Sequence, residues 1–420
     1  MPYDAIAIDT QTVERNGFHF EGGLLEQLRQ FKNGPVQVVI SEIAAREIFK
    51  HLVGKTRVAR DALLSAQRKA LECGIIQESA DSPQASQIDI DAIVTARLNT
   101  FLKDIGALVL RVDDVSTKEL VRRYFGAIPP FSAAGKKKEE FPDAIALLSL
   151  EHWAATNDKK ILAISGDKDW EAFASSSERI DSISDLSEGL ALLQQHVEQA
   201  EATIQKVLAE IITGQNLELS QQLEQLLSNE VSGYSIEANA DSYLEVEAEQ
   251  VDLSLLNHEL IEDDGRFDFI VVQNRHDRIV ARIVVELQVQ AECSFGFSIY
   301  DSIDKDYVGM GSRSVTIEDT FEAAILVTFE GDAAEMTFDI SKVEIVDAPG
   351  SIDFGYVQPF SEPDDESEYE PPEPDYEPPE PDEPPVPDYE QPEPDEPPEP
   401  DYEPPEPDYD PPEDDPSRPA

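Results

Sequence analysis

The sequence has few cysteines and no long apolar run. Its two cysteines, Cys73 and Cys293, lie 220 positions apart, so neither a disulfide framework nor a thiolate metal site is expected. No stretch approaches the roughly 20 apolar residues that a membrane span requires, and the segment that follows Met1 has no basic leader region. We therefore expect a cytoplasmic protein that does not bind membranes.

Basic residues are also scarce. The 420 residues include 32 Lys and Arg against 88 Asp and Glu, which gives a formal net charge of -56. Such a balance excludes tight non-specific binding of nucleic acid by a broadly basic surface. It leaves open a local basic cleft.

The acidic charge is concentrated at the C-terminus. Residues 361–420 contain 26 of the 88 acidic residues and 22 of the 30 prolines, in variations on Pro-Glu-Pro-Asp-Tyr-Glu-Pro. Proline and like charge at this density prevent core packing, so we expect residues 351–420 to be a disordered acidic tail. A solubilising spacer is the simplest role. An autoinhibitory nucleic-acid mimic and a docking arm for a basic partner are the alternatives.

The N-terminal part alternates between strand and helix patterns, which is typical of an α/β fold with a parallel sheet flanked by helices. Strands are predicted at 5–8, 36–40, 107–112 and 161–164, and helices at 22–32, 43–73, 88–104, 116–124 and from 142 onward. We assign this domain to residues 1–184. Two further helices, 185–213 and 215–229, form an extension at 185–230.

From about residue 233 the apolar period changes to two. Strand-like runs at 243–248, 267–271, 279–289 and 321–329 predict a separate antiparallel β domain at 231–350, as a sandwich or curled sheet. It has no metal-ligand spacing, catalytic triad or glycine-rich phosphate loop. His258 and His276 are isolated, and each is best explained as an ordinary core or surface histidine.

Four acidic residues are predicted to meet at one edge of the parallel sheet. Asp9 and Asp167 follow strands, whereas Glu47 and Asp143 lie near the starts of helices. Strand ends and the starts of the following helices share an edge in such sheets. Each acid also has a purely structural explanation when it is considered alone. Asp9 could be a turn residue and Glu47 a solvated helix residue, while Asp143 and Asp167 could be helix caps.

Carboxylates brought together repel one another unless a divalent cation neutralises them. Mg²⁺ and Mn²⁺ prefer oxygen ligands and can support in-line cleavage of a phosphodiester. The acidic constellation therefore predicts a Mg²⁺ or Mn²⁺ site.

Four motifs that contain these acids resemble those of a PIN domain over roughly residues 3–180. They are Asp9-Thr10, Val39-Ile40-Ser41 with Glu47-Ile48, Phe141-Pro142-Asp143-Ala144-Ile145-Ala146, and Ser165-Gly166-Asp167-Lys168-Asp169-Trp170. The sequence is most similar to larger bacterial PIN-like proteins with a lysine-containing loop before the third motif. Gln11 stands where the family usually has Asn, and Trp170 where Phe is commoner.

The resemblance implies a metal-dependent nuclease that cuts RNA, with single-stranded RNA as its expected substrate, and in bacteria often a toxin. By this resemblance Asp9, Glu47, Asp143 and Asp167 bind the metal and are catalytic, with Asp169 as an accessory ligand. Since PIN domains commonly dimerise, a homodimer is also implied.

The loop Lys136, Lys137 and Lys138 would contact substrate phosphates, positioning the strand without reading its sequence. A solvated loop explains these lysines equally well, and Arg122 and Arg123 are weaker candidates. The competing hypothesis is a binding protein with a PIN-like fold and weak or no catalysis. Its β domain and acidic tail would recruit a protein partner.

Overall fold

The four apolar runs of the N-terminal part are strands of one parallel sheet in the structure, a computed structural model. The structure describes residues 2–76, 88–131, 140–195, 197–303, 305–332 and 337–359, and all of them belong to one compact unit, Met1–Ser361. The loop that contains Lys136, Lys137 and Lys138, and the proline-rich segment from residue 360 onward, lie outside the described residues. None of the described helices has the length and apolar character needed to cross a membrane.

The sheet has five parallel strands. These are β1 (Ala5–Ile8), β2 (Gln37–Ser41), β3 (Leu108–Leu110), β4 (Ile161–Ile164) and β5 (Ile180–Ile183). Their order across the sheet is β3-β2-β1-β4-β5, with β1 paired to both β2 and β4. The prediction of a parallel sheet flanked by helices is confirmed, although β5 was not predicted.

Helices cover both faces of this sheet. They are α1 (Thr10–Arg15), α2 (Gly23–Gln27), α3 (Glu42–Glu72), α4 (Ile90–Asp104), α5 (Thr117–Gly126), α6 (Phe141–Asn157), α7 (Lys168–Ala174) and α8 (Leu186–Leu192). Successive strand residues point to opposite faces. Ile6 and Ile8 therefore join the core that contains residues of α3, α4 and α8, whereas Ala5 and Ala7 join the core of α6 and α7.

The described part of the β domain contains one six-stranded antiparallel sheet, built around a long hairpin, and two smaller two-stranded sheets. Strand β12 (Arg278–Asp301) pairs with β13 (Asp306–Asp332) along the full length of β12. The other elements are the helices α9 (Val197–Ile212) and α10 (Leu217–Gly233) and the strands β6 (Glu237–Asp241), β7 (Glu245–Ala248), β8 (Asp252–Leu260), β9 (Glu262–Asp263), β10 (Arg266–Phe267), β11 (Phe269–Arg275), β14 (Thr337–Asp347) and β15 (Ser351–Tyr356). The large sheet runs β11-β12-β13-β14, with β7 and β8 also paired to β12. This confirms an antiparallel β-rich region after the parallel sheet.

The two faces of the large sheet are covered by different partners. Ile279 and Ile283 pack in one core with Leu208 of α9 and Leu227 of α10. Val280, which points to the opposite face, belongs to the core of the parallel sheet. The prediction was a sandwich or a curled sheet. In the described residues one large sheet lies between the N-terminal domain and a layer that contains α9, α10 and β15.

Two segment limits differ from the prediction. The helix expected at 185–213 is divided into α8 and α9. Strand β15 lies within the segment 351–420, which was expected to be disordered, and it pairs in parallel with β6. Ile352 and Phe354 alternate into the core, and this apolar alternation explains why Ser351–Tyr356 is a strand. The division of the chain into four segments otherwise remains a prediction.

Candidate metal centre and active site

Asp9 links the end of β1 to the start of α1. Its Oδ1 accepts a hydrogen bond of 2.6 Å from the backbone N–H of Thr12, which makes Asp9 the N-cap of α1. Its Oδ2 accepts a 2.5 Å hydrogen bond from Ser165 Oγ. Asp9 is only 5% exposed, and burial raises the pKa of its carboxyl although both hydrogen bonds oppose the rise. Asp9 can therefore cap α1 and also be part of the candidate site.

Asp167 occupies the equivalent position after β4. It caps α7 by accepting a 2.7 Å hydrogen bond from the N–H of Asp169, and its own N–H donates to Ser165 Oγ at 3.1 Å. Ser165 thus connects Asp9 to the turn that holds Asp167. Burial raises the pKa of Asp169, and the negative charge of Asp167 adds to this rise.

Glu47 and Asp143 are each oriented by a side chain from another element. Thr10 Oγ1 donates a 2.9 Å hydrogen bond to Glu47 Oε2, and Trp170 Nε1 donates a 3.2 Å hydrogen bond to Asp143 Oδ1. The pKa of Asp143 is raised to about 6. Burial is the main cause, the Trp170 hydrogen bond opposes it, and the charges of Asp167 and Glu47 add to it.

Asp9, Glu47, Asp143 and Asp167 line one cleft of about 270 Å³ at the carboxyl edge of the parallel sheet. Gln11 and Trp170, the two departures from the PIN pattern, line the same cleft. Asp169 is not among its lining residues. The structure therefore brings together all four acids that the sequence predicted as a set.

The donor set of this cleft suits a hard divalent cation. All four acids offer carboxylate oxygens, which Mg²⁺ and Mn²⁺ prefer, and no described Lys or Arg forms an ion pair with any of them. After burial, the negative charges of Asp167, Glu47 and Asp169 also contribute to the raised pKa of Asp143. Within the described ranges, no three His, Cys, Asp or Glu side chains already form a metal-binding group. The residues fit a cation chemically, without a preformed ligand cluster.

Two residues at the cleft were not predicted as site residues. Glu14 and His51 both line it, and they are hydrogen-bonded to each other through His51 Nδ1. His51 lies four residues after Glu47, so the two share one face of α3. This four-residue spacing is the sequence signal from which His51 could have been predicted to lie near Glu47.

Arg122 and Arg123 are engaged elsewhere. Both pair with Glu119, at 2.6 and 2.8 Å, and the guanidinium of Arg123 also stacks on Phe173 at 4.7 Å. Neither lines the cleft. Their contacts support a structural role.

Comparison with known proteins agrees with this geometry. The model of the PIN domain family matches residues 6–170, a segment that runs from the second residue of β1 to beyond β4 and contains all four acids of the cleft. No curated protein and no solved structure matches the chain. PIN domains are generally nucleases. Residues 6–170 of this chain are a PIN domain.

Proposed function

We propose that this chain is a divalent-metal-dependent endoribonuclease that hydrolyses phosphodiester bonds in single-stranded RNA. The observation that carries the proposal is the convergence of Asp9, Glu47, Asp143 and Asp167 on one cleft, from four separate elements of a PIN domain. No described cation balances their charge. A site that holds so much negative charge needs a positive ligand to bind an anionic substrate.

The side chains around the cleft hold these acids in place. Ser165 Oγ and the backbone N–H of Thr12 donate to the two oxygens of Asp9, the Thr10 hydroxyl donates to Glu47, and the Trp170 indole donates to Asp143. We assign Mg²⁺ or Mn²⁺ to the four acids, with Asp169 as an accessory ligand. When bound, the cation supplies activation of water and neutralisation of charge at the scissile phosphate. Cytoplasmic action, a toxin-like role and a homodimer are further parts of this proposal.

The alternative is a catalytically weak or inactive PIN-like binding protein. One observation favours it: within the described ranges, no three His, Cys, Asp or Glu side chains form a preformed metal-binding group. A cation would therefore have to draw the acids of the cleft together as it binds. In this alternative the β domain and the acidic tail recruit a protein partner.

Cleavage of a labelled single-stranded RNA and of its DNA counterpart distinguishes the two functions. Wild-type protein, free of host nucleases, is tested with Mg²⁺, Mn²⁺ or EDTA beside the double variant Asp9→Asn/Asp167→Asn. Asn caps helices as well as Asp does, so the variant keeps both caps and loses two negative charges. We expect the wild-type protein to cleave RNA only when the metal ion is present, and we expect the double variant not to cleave it. Folded wild-type protein that cuts neither strand would instead support the binding function.

A further inference from the structure

Helix α3 is far longer than the part of it that packs against the other described residues. Of its 31 residues only Ala44, Ile48 and Leu52 are buried, and they pack in the core that α4 also joins. No described residue after Leu52 in this helix is buried. The projecting half of α3, residues 56–72, follows the contacts of Val53 and Lys55 with the N-terminal domain and is about 26 Å long at 1.5 Å per residue.

Apolar side chains on the projecting half also face solvent. Val58 is 71% exposed and Leu63 is 48% exposed. Most of the stability of helices in proteins comes from packing of an apolar face, and no described residue of this half is buried. A binding partner that packs against this half of α3 would therefore stabilise it.

The charge of this region opposes that of the whole protein. Residues 50–69 contain six of the 32 basic residues and a single acidic one, Asp61, in a chain with 88 acidic residues. Asp61 is held by Arg60 at 2.6 Å. Within the described part of the chain, Lys50, Arg57 and Arg68 form no ion pair, and all three are exposed.

These three basic residues lie on one side of the helix. Their spacings of seven and eleven residues place them within about 20° of one another at 3.6 residues per turn. Lys50 lies one turn from Glu47, which lines the cleft. Arg68 lies about 31 Å along the helix from Glu47. The basic stripe, Lys50, Arg57 and Arg68, therefore begins beside the candidate active site and leads away from it. Lys55 faces another side, where it donates to the carbonyl oxygen of Gly17.

We propose that the basic stripe binds the phosphate backbone of the nucleic-acid strand whose scissile bond lies in the cleft. This inference rests on the proposed function and adds to it the path that the substrate takes. Charge complementarity carries the argument, because exposed cations in a protein of charge -56 provide a local surface that can attract a polyanion. The contacts are to phosphates, so the stripe positions the strand and does not select its sequence.

The test compares three double variants of the full chain. Arg57→Gln/Arg68→Gln removes two charges from the stripe, Arg57→Lys/Arg68→Lys keeps them, and Arg266→Gln/Arg275→Gln removes two exposed charges from the β domain. Binding to a fluorescent 20-nucleotide oligouridylate is measured with Mg²⁺, in the Asp9→Asn/Asp167→Asn background so that the RNA stays intact. The logarithm of the affinity falls linearly with the logarithm of the salt concentration. Each lost phosphate contact should reduce the steepness of this slope by about 0.7 and weaken binding about fivefold at 0.1 M salt.

We expect Arg57→Gln/Arg68→Gln to bind about 25-fold more weakly, with a slope lower by about 1.4. The lysine variant and the β-domain variant should bind as the parent protein does. A loss below twofold, or an equal loss in the β-domain variant, would overturn the proposal. Binding to poly-glutamate is measured with the same variants. If Arg57→Gln/Arg68→Gln loses binding to poly-glutamate but keeps its binding to RNA, the proposal is overturned, because the stripe would then bind an acidic protein.

Cleavage separates failure of the stripe from failure of the proposed function. In the active background, Arg57→Gln/Arg68→Gln should slow cleavage of the 20-mer but not of a five-nucleotide RNA, which is too short to span the stripe. If the variant cleaved both RNAs more slowly by the same factor, the proposed path of the substrate along the stripe would be wrong. If the active protein cuts neither RNA, the proposed function fails, while the binding data still decide whether the stripe holds nucleic acid.

Discussion

Replacing Asp143 by Asn should abolish metal-dependent cleavage and yet stabilise the protein. The pKa of Asp143 is raised from 3.8 to about 6, first by burial and then by the charges of its neighbours. A shift of about two pKa units costs the ionised native state about 3 kcal/mol. Asn keeps the oxygen that accepts from Trp170, but its amide N–H group lacks a known partner, at a cost of about 1 kcal/mol. The net gain in unfolding free energy is then about 2 kcal/mol at pH 8.

The gain depends on pH in a defined direction. Because the folded pKa lies above the unfolded one, the native carboxyl keeps its proton between about pH 4 and 6 while the unfolded one has lost it. The penalty in the wild type is therefore absent below pH 4, grows as pH rises, and is complete above pH 6. We expect the gain of Asp143→Asn to fall below about 1 kcal/mol at pH 5.

Thermal unfolding in EDTA measures this gain. For a unit of about 360 residues, 2 kcal/mol corresponds to a rise of roughly 3 °C in the midpoint. The control is Asp89→Asn at the N-cap of α4, outside the cleft, where Asn caps equally well. A variant no more stable than wild type at pH 8, or equally stabilised at pH 5 and 8, would refute the electrostatic argument.

Two further predictions concern stability and the pH dependence of cleavage. Gly189→Ala places a Cβ 2.3 Å from Ile164 Cδ1 and should lower the free energy of unfolding by about 1–3 kcal/mol, whereas Gly54→Ala meets nothing within 4 Å and should raise it by up to about 1 kcal/mol. Equal thermal midpoints for these two variants would contradict this. Ser165→Ala removes a hydrogen bond that lowers the pKa of Asp9, so the acid limb of the pH–rate profile should move to higher pH. An unmoved limb would show that this hydrogen bond does not set the limb.

The elements of the fold that could be predicted from the sequence are those with a clear local pattern of apolar residues. The runs at 5–8 and 161–164 are buried on both faces, so they are continuously apolar and easily recognised as parallel strands. Asp9 directly follows the first run and Asp167 lies three residues after the end of the second, and their meeting follows from the geometry of parallel sheets. The grouping of the four acids was predictable for this reason.

Other features depend on contacts that no local pattern shows. Strand β5 is only half-buried at Asp181 and Ser182, because it lies at the edge of the sheet, and so it lacked an apolar run. The hydrogen bond between Ser165 and Asp9 joins residues 156 positions apart. The large antiparallel sheet has apolar residues on both faces since the N-terminal domain covers one of them, which the sequence of the β domain alone does not indicate.

Nuclease function requires that the cleft bind a divalent cation. Titration of Mn²⁺ into the full chain, followed by electron paramagnetic resonance, counts bound ions in wild type, in Asp9→Asn/Asp167→Asn and in the control Asp89→Asn. The acidic residues at 361–420 are common to all three proteins, so any Mn²⁺ that they bind contributes equally. We predict at least one tighter site in wild type and Asp89→Asn that the double variant lacks. Identical binding curves for all three proteins would contradict the assignment of a metal site to Asp9 and Asp167.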